Sequence, residues 1–341
     1  MKRNLKILAA AVIILMVLLS ACGGDKKGGG SAKDGFVIGY DIYFVGNTWS
    51  VQLWKEFESA VAKNPKVKEV IYVDSGGDVQ RQIANLEDLI TSKVDAIITT
   101  PNSPTALIPV LTKAQKAGIK VILLAATIDG DCYDALVTVN DYDFGKVGAE
   151  WLVEQLGGKG NVIVLDGIAG ISVSDDRSRA AMDVFKQYPD IKVIAQEFGS
   201  WDYATAKIIV ADMLAANTRI DGVQSQGGAM TMGAIEAFQA AGRPLVPMTS
   251  EDNNGFLKLW KQLQPQGFTS IACAKPTWLT EIALEHAIKL LEGQPVYKDF
   301  NLPVPVITDA DLDKFVRPDL SDSMWANTKL TDAQLKAIFT N

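Results

Sequence analysis

Short β-branched runs alternate with longer stretches of helical periodicity along most of the chain. Val37-Ile38, Ile71-Tyr72-Val73, Ile97-Ile98-Thr99 and Val121-Ile122-Leu123-Leu124 are short, mostly apolar runs, the form taken by parallel strands covered on both faces. Between them, Leu53, Trp54, Phe57, Ala60 and Val61 recur near the 3.6-residue period, with Lys55, Glu56 and Glu58 facing away. Asp78 stands as an N-cap before the stripe Val79, Ile83, Leu86 and Ile90. A third helix is predicted to open at Ser103-Pro104, a cap followed by proline at the first helical position, and to stop at Ala117-Gly118. Repeated βα units predict a parallel sheet with helices on both sides.

The pattern then restarts. Val162-Ile163-Val164-Leu165, Val193-Ile194-Ala195, Gly222-Val223-Gln224-Ser225 and Leu245-Val246-Pro247-Met248 are strand candidates, with helical segments near 175–187, 202–216 and 228–241. Asn140-Asp141 lies between the two sets. Thr269-Ser270-Ile271-Ala272 leads toward a last long helix near 276–292, and Leu302-Pro303-Val304-Pro305-Val306 reads as an extended crossing segment. The polar tail from Thr308 carries a short helical piece from Thr331 to Phe339. The fold class is therefore α/β, with two doubly wound, Rossmann-like parallel sheets.

Composition narrows the function classes. Apolar content of 48% and charged content of 21% suit a globular chain. A net charge of −7 disfavours nucleic acid or an anionic membrane face as a partner. The start adds a location. Lys2, Arg3 and Lys6 precede the apolar run Ile7 to Leu19, which is too short to span a bilayer, and Leu19-Ser20-Ala21-Cys22 follows. This resembles a bacterial lipoprotein signal, which implies cleavage before Cys22, acylation of its thiol and export; an ordinary secretory signal is the alternative. Gly23 to Ser31 is Gly/Lys-rich and is expected to act as a flexible tether. Removing residues 1–21 leaves 320 of the 341, enough for two domains. Cys132 and Cys273 would then sit in a disulfide-permissive setting, where they either pair or remain free. The single histidine, His286, lies among helix formers and reads as a packed or solvated helical residue, not a catalytic base.

From about Phe36 to Val306 the chain resembles the periplasmic sugar-binding proteins of the ribose-binding type, receptors of ATP-driven importers. The resemblance rests on Gly167-Ile168-Ala169-Gly170-Ile171-Ser172 followed by Arg177, on Asp74-Ser75, Thr100-Pro101-Asn102 and Gly145-Lys146, and on Met230-Thr231-Met232-Gly233-Ala234. It implies the type I periplasmic binding protein fold, with two lobes joined by three hinge crossings near Asn140, Cys273 and Leu302. The expected division is a signal at 1–21, a tether at 22–34, an N-terminal lobe of 35–140 plus 274–302, a C-terminal lobe of 141–273 plus 303–318, and a tail of 319–341.

In open α/β sheets a ligand sits beyond the carboxyl ends of the strands, so the two lobes face each other across one cleft. Loops at those ends supply the candidates. Tyr43, Asn47 and Trp49 follow the first strand, where the family places an asparagine and an aromatic on its ligand. Trp201 matches a stacking aromatic of the second lobe, and Asn140-Asp141 a crossing position that presents a polar side chain to the cleft. Glu251 or Asp252 falls where the family bonds sugar hydroxyls with an aspartate. Asp175 aligns with a family arginine, and Trp278 could add a further ring or pack on its helix. Trp54 belongs to the core stripe.

The departures carry weight too. Ala125-Ala126 replaces an Asp-Arg pair, and Gly227 stands in place of a ligand-binding asparagine. Loss of two arginines argues against an anionic ligand, since a buried anion without cationic partners is costly. The resemblance thus implies a lipid-anchored, monomeric solute-binding protein. It would take a neutral, hydroxyl-rich monosaccharide or polyol to an ABC permease, without cofactor, metal or enzymatic step. The alternatives are a sensory receptor of the same fold, presenting an autoinducer or chemoattractant to a membrane partner, and an anchored glycoside hydrolase using Asp175 and Glu251.

Overall fold

The computed structural model describes residues 35–339; the predicted signal, Cys22 and the tether lie outside the described residues. The first lobe begins β1 (Phe36–Ile42), α1 (Thr48–Ala62), β2 (Val67–Asp74), α2 (Val79–Thr91), β3 (Ala96–Thr99), α3 (Ile108–Lys116), β4 (Lys120–Leu124) and β5 (Ala135–Val139). The second follows as α4 (Asp141–Gln155), β6 (Gly160–Asp166), α5 (Ser172–Phe185), β7 (Ile191–Phe198), α6 (Tyr203–Ala216), β8 (Gly222–Ser225), α7 (Gly228–Ala240), β9 (Met248–Glu251), α8 (Asn254–Leu263) and β10 (Ser270–Cys273). The chain returns to the first lobe with α9 (Leu279–Leu291) and β11 (Asp299–Leu302). It crosses again to β12 (Val306–Ile307), α10 (Leu312–Phe315) and α11 (Asp332–Ile338). Strand orders are β11-β5-β4-β3-β1-β2 and β12-β10-β9-β8-β6-β7. Every neighbouring pair is parallel except β10 with β12. Two doubly wound α/β lobes result, and the backbone passes between them at 140, 274–278 and 303–305.

The pleat assigns residues to faces. In the first lobe Ile38, Tyr40 and Ile42 of β1 pack with Leu53 and Phe57 of α1 and with Leu279 and Leu284 of α9. On the other face Ile97 of β3 joins Leu86 and Leu89 of α2 and Leu111 of α3. Burial of each such side chain contributes roughly 1.5–3 kcal/mol. Trp54 packs against Tyr40 and Tyr72, its ring 5.1 and 4.3 Å from theirs. The second lobe repeats the plan, with Trp260 and Phe256 of α8 fully buried.

Several boundaries differ from the sequence reading. The α3 helix starts at Ile108, because Ser103 Oγ accepts the Thr105 and Ala106 amides in a turn ahead of it. Strand β9 begins at Met248: Pro247 has no N–H to give to a ladder. The strand β5 and the helix α8 were not anticipated. Glu56 points inward and is fully buried, for a reason that lies in the tail. Cys132 and Cys273 are both free and buried, the first in an apolar cluster of the first lobe and the second at the end of β10. His286 is packed on its helix, with Nδ1 2.9 Å from the Ile282 carbonyl and its ring edge-on to Phe300; burial lowers its pKa. Among the described residues no helix is long and apolar enough to cross a membrane.

Candidate functional site

A cavity of about 330 Å³ lies where the carboxyl ends of the two sheets face each other, at the low end of the roughly 300–1,000 Å³ common for small-molecule pockets. The first lobe supplies Tyr43, Asn47, Thr48, Trp49, Ala125 and Ala126. The second supplies Arg177, Trp201, Tyr203, Gly227, Glu251 and Asn253. Lys275 of the middle crossing and Trp325 of the tail complete the wall. The lobes touch at the rim, where the Thr127 amide donates to Ser172 Oγ at 3.2 Å.

The indole of Trp201 is seated by glycines. A Cβ on Gly167 would stand 2.3 Å from its ring, and one on Gly227 would stand 2.7 Å from Cδ1. Its Nε1 donates to the Gln226 carbonyl at 3.1 Å, so one edge is held and a face is left for the cavity. The turn that aims it is strained: Ser200 and Trp201 have φ of +55° and +52°, a left-handed backbone costing roughly 1–2 kcal/mol per residue. Amides of Gly199 and Ser200 bonded to the carbonyls of Asp166 and Gly167 hold that turn in place. Gly227, unexpected for the family, is thus the space that Trp201 occupies.

On the opposite wall Trp49 donates from Nε1 to the Lys275 carbonyl at 2.8 Å. Asn47 lines the cavity, but its amide serves the local fold. Oδ1 caps α1 by accepting the Ser50 amide at 2.8 Å, and Nδ2 donates to the Tyr43 hydroxyl at 3.3 Å. Ala125 has φ +66°, and its carbonyl accepts from Lys275 Nζ at 2.6 Å.

Four charges form the floor. Arg177 donates from Nε to Asp141 at 2.9 Å and from Nη1 to Glu251 at 2.7 Å. Its guanidinium also lies 3.6 Å from the Phe144 ring centroid. Lys275 reaches the other oxygen of Asp141 at 2.6 Å. Two cations and two carboxylates cancel, while Asp202 adds a negative charge at the rim. Burial opposes the Arg177 charge, yet Glu251 and Asp141 outweigh it and hold its pKa above the ordinary value. Burial also raises Glu251, against the pull of Arg177. It lowers Lys275, which Asp141 partly offsets. The floor therefore has no unpaired cation for an anionic guest. Glu251 Oε1 is taken by Arg177, which leaves Oε2 for the cavity.

Of the residues singled out from sequence, Tyr43, Asn47, Trp49, Trp201 and Glu251 line this cavity. Five others do not. Asn140 caps α4 through the Asp143 amide. Asp141 is tied into the floor by its two ion pairs but does not itself line the cavity. Asp175 is exposed on α5, so it and Glu251 form no carboxylate pair. Asp252 follows Glu251 in extended chain, where neighbours point to opposite sides; it faces the tail and accepts Asn327 N at 2.7 Å and Nδ2 at 2.9 Å. Trp278 packs beneath the ammonium of Lys329 at 4.7 Å. Tyr203, Asn253, Lys275 and Trp325 were missed. A lysine between Ala274 and Pro276 in a crossing and a Met324-Trp325 pair in a polar tail were the available signals.

Residues 38–295 match the family described as a periplasmic binding protein domain. The chain is 28% identical over 246 residues to the xylitol-binding protein of Mycolicibacterium smegmatis, covering 72% of this chain and 70% of that protein. It is 23% identical over 276 residues to the ribose import binding protein RbsB of Bacillus subtilis, covering 81% and 88%. Among solved structures, an ABC transporter periplasmic solute-binding protein of Actinobacillus succinogenes with bound D-allose superposes with a TM-score of 0.71 at 27% identity, covering 82% and 99%. These relatives are binding proteins, not enzymes. Two α/β lobes closed over one cavity, together with a family match spanning most of the sequence, place the chain in the periplasmic binding protein family.

Proposed function

We propose that this protein binds a neutral, hydroxyl-rich small molecule, a monosaccharide or polyol, between its lobes and delivers it to an ABC permease, held to the membrane through acylated Cys22. The observation that carries the reading is the charge-balanced floor beneath facing indoles. Trp49 and Trp201 offer faces suited to the C–H surface of a sugar ring, and Glu251 offers a charged acceptor to a hydroxyl. Relatives named for xylitol and ribose, and a neighbour holding D-allose, support the same class. Closure joins contacts from both lobes, so ligand stabilises the closed arrangement only to the extent that both walls touch it. A micromolar ligand would need about −8 kcal/mol.

A thermal-shift screen over xylitol, D-ribose, D-allose, myo-inositol and nucleosides tests the reading. At least one neutral polyol or sugar is expected to raise the melting temperature, because ligand binding to the folded state alone stabilises it. No shift with any of them would overturn it.

A further inference from the structure

Trp325 reaches the cavity from outside either sheet. The segment around it is tied to both lobes. On the first lobe, the Trp325 amide donates to Gln52 Oε1 at 2.9 Å, its carbonyl accepts from Gln52 Nε2 at 3.1 Å, and its indole Nε1 donates to Thr48 Oγ1 at 3.0 Å. Three residues on, Thr328 Oγ1 and the Lys329 amide both donate to Glu56 Oε1, at 2.5 and 3.0 Å. This is why Glu56 is buried: the tail covers what was expected to be the outward side of α1. On the second lobe, Trp325 forms a β-bridge with Asn253, the Ala326 amide donates to the Asp252 carbonyl at 3.0 Å, and Asn327 clasps the Asp252 carboxylate. Leu320, Met324, Leu330 and Leu335 share a small apolar cluster that stiffens the segment.

We propose that Trp325 is a specificity-determining residue of the cavity and that the segment carrying it is a fourth connection between the lobes. The proposal rests on the reading of the cavity as a saccharide or polyol site. The indole N–H is spent on Thr48 and the backbone on Gln52, so the ring is held by its edge while it remains part of the cavity wall. With Trp49 on one side and Trp201 on the other, a third ring limits the shape of the guest where Ala125 and Ala126 leave room. The anchors at Glu56 and Asp252 lie on different lobes, so any change in lobe spacing moves Trp325 relative to at least one wall.

Calorimetry with xylitol, D-ribose, D-allose and myo-inositol on the full folded domain tests this, using wild type, Trp325→Ala, Trp325→Phe and Asn327→Ala. Trp325→Ala is expected to weaken the best of the four by about tenfold or more and to reorder the four, while Trp325→Phe keeps the order. Asn327→Ala removes the side-chain half of the Asp252 clasp that positions Trp325, so it should change the affinities in the same direction as Trp325→Ala, by less. Wild-type affinity ratios in Trp325→Ala would overturn the proposal alone. A wild type that binds none of the four would remove the saccharide reading and the proposal with it. Should Trp325→Ala fail to fold, wild type labelled with 5-fluorotryptophan decides: the resonance missing from Trp325→Phe must shift when the best compound is added, and a stationary resonance contradicts the proposal.

Discussion

The two walls of the cavity are built from different chemistry although both lobes share one plan. The first lobe contributes an indole, a phenol and two alanines, with its polar groups bonded to one another, to the middle crossing and to the tail. The second contributes an indole seated on glycines together with Arg177, Glu251 and Asn253. The first wall can shape and cover a guest; the second can orient its hydroxyls. A neutral polyhydroxylated ring needs both, and an anion is served by neither, because each cation of the floor already has a carboxylate.

The largest expected effect lies on the second wall. Arg177→Ala strands the buried carboxylate of Glu251 and leaves Asp141 with Lys275 alone, and removing one partner of a buried pair costs about 3–5 kcal/mol. Denaturant unfolding should show that loss, along with loss of binding. If the variant keeps wild-type stability, the charged floor is not the support of the second lobe. Next come the facing rings. Trp49→Ala and Trp201→Ala should each cost about ten- to a hundredfold in affinity by calorimetry, with the fold retained. An effect at Trp201 alone would make the first wall a passive cover.

Adjacent Glu251 and Asp252 provide a finer contrast. Burial raises the Asp252 carboxyl from 3.8 to about 6, so the folded chain holds that proton more tightly than the unfolded one. The contribution is fully present below about pH 3.8 and is lost as pH rises through about 6. Between pH 5 and 7.5 wild type should therefore lose about 1 kcal/mol more stability than Asp252→Asn, measured by urea unfolding at each pH. Equal losses would show that Asp252 is not a buried titrating anchor for the tail. The smallest effect on affinity is at Gly227. A Cβ there would press on Trp201, so Gly227→Ala should weaken binding by about threefold through a displaced ring and cost about 1 kcal/mol of stability. Unaltered affinity would mean that the seat tolerates the methyl.

These contrasts follow how far the sequence could be read. Parallel strands such as Val162 to Leu165 are continuous apolar runs, and Asp78 is an N-cap whose side chain accepts the Arg81 amide as expected. Such features are local, so periodicity and capping reveal them. Residues at strand ends, Trp49, Trp201 and Glu251, follow from the rule that ligands gather there. What escaped was non-local. Asp141 looked like a cleft residue until Arg177 and Lys275, far away in sequence, were brought onto it. Glu56 looked solvated until the tail, more than 270 residues later, folded over it. Asp252 could not be told from Glu251 because a one-residue difference in register decides which side chain meets the cavity.

Calorimetry of a neutral sugar against its own acid, D-ribose against D-ribonate and D-allose against D-allonate, tests the charge-balanced cavity most directly. The account predicts that whichever neutral compound binds is preferred over its carboxylate by about a hundredfold or more, since a buried anion would find no free cation. Equal or tighter binding of the acid would contradict it.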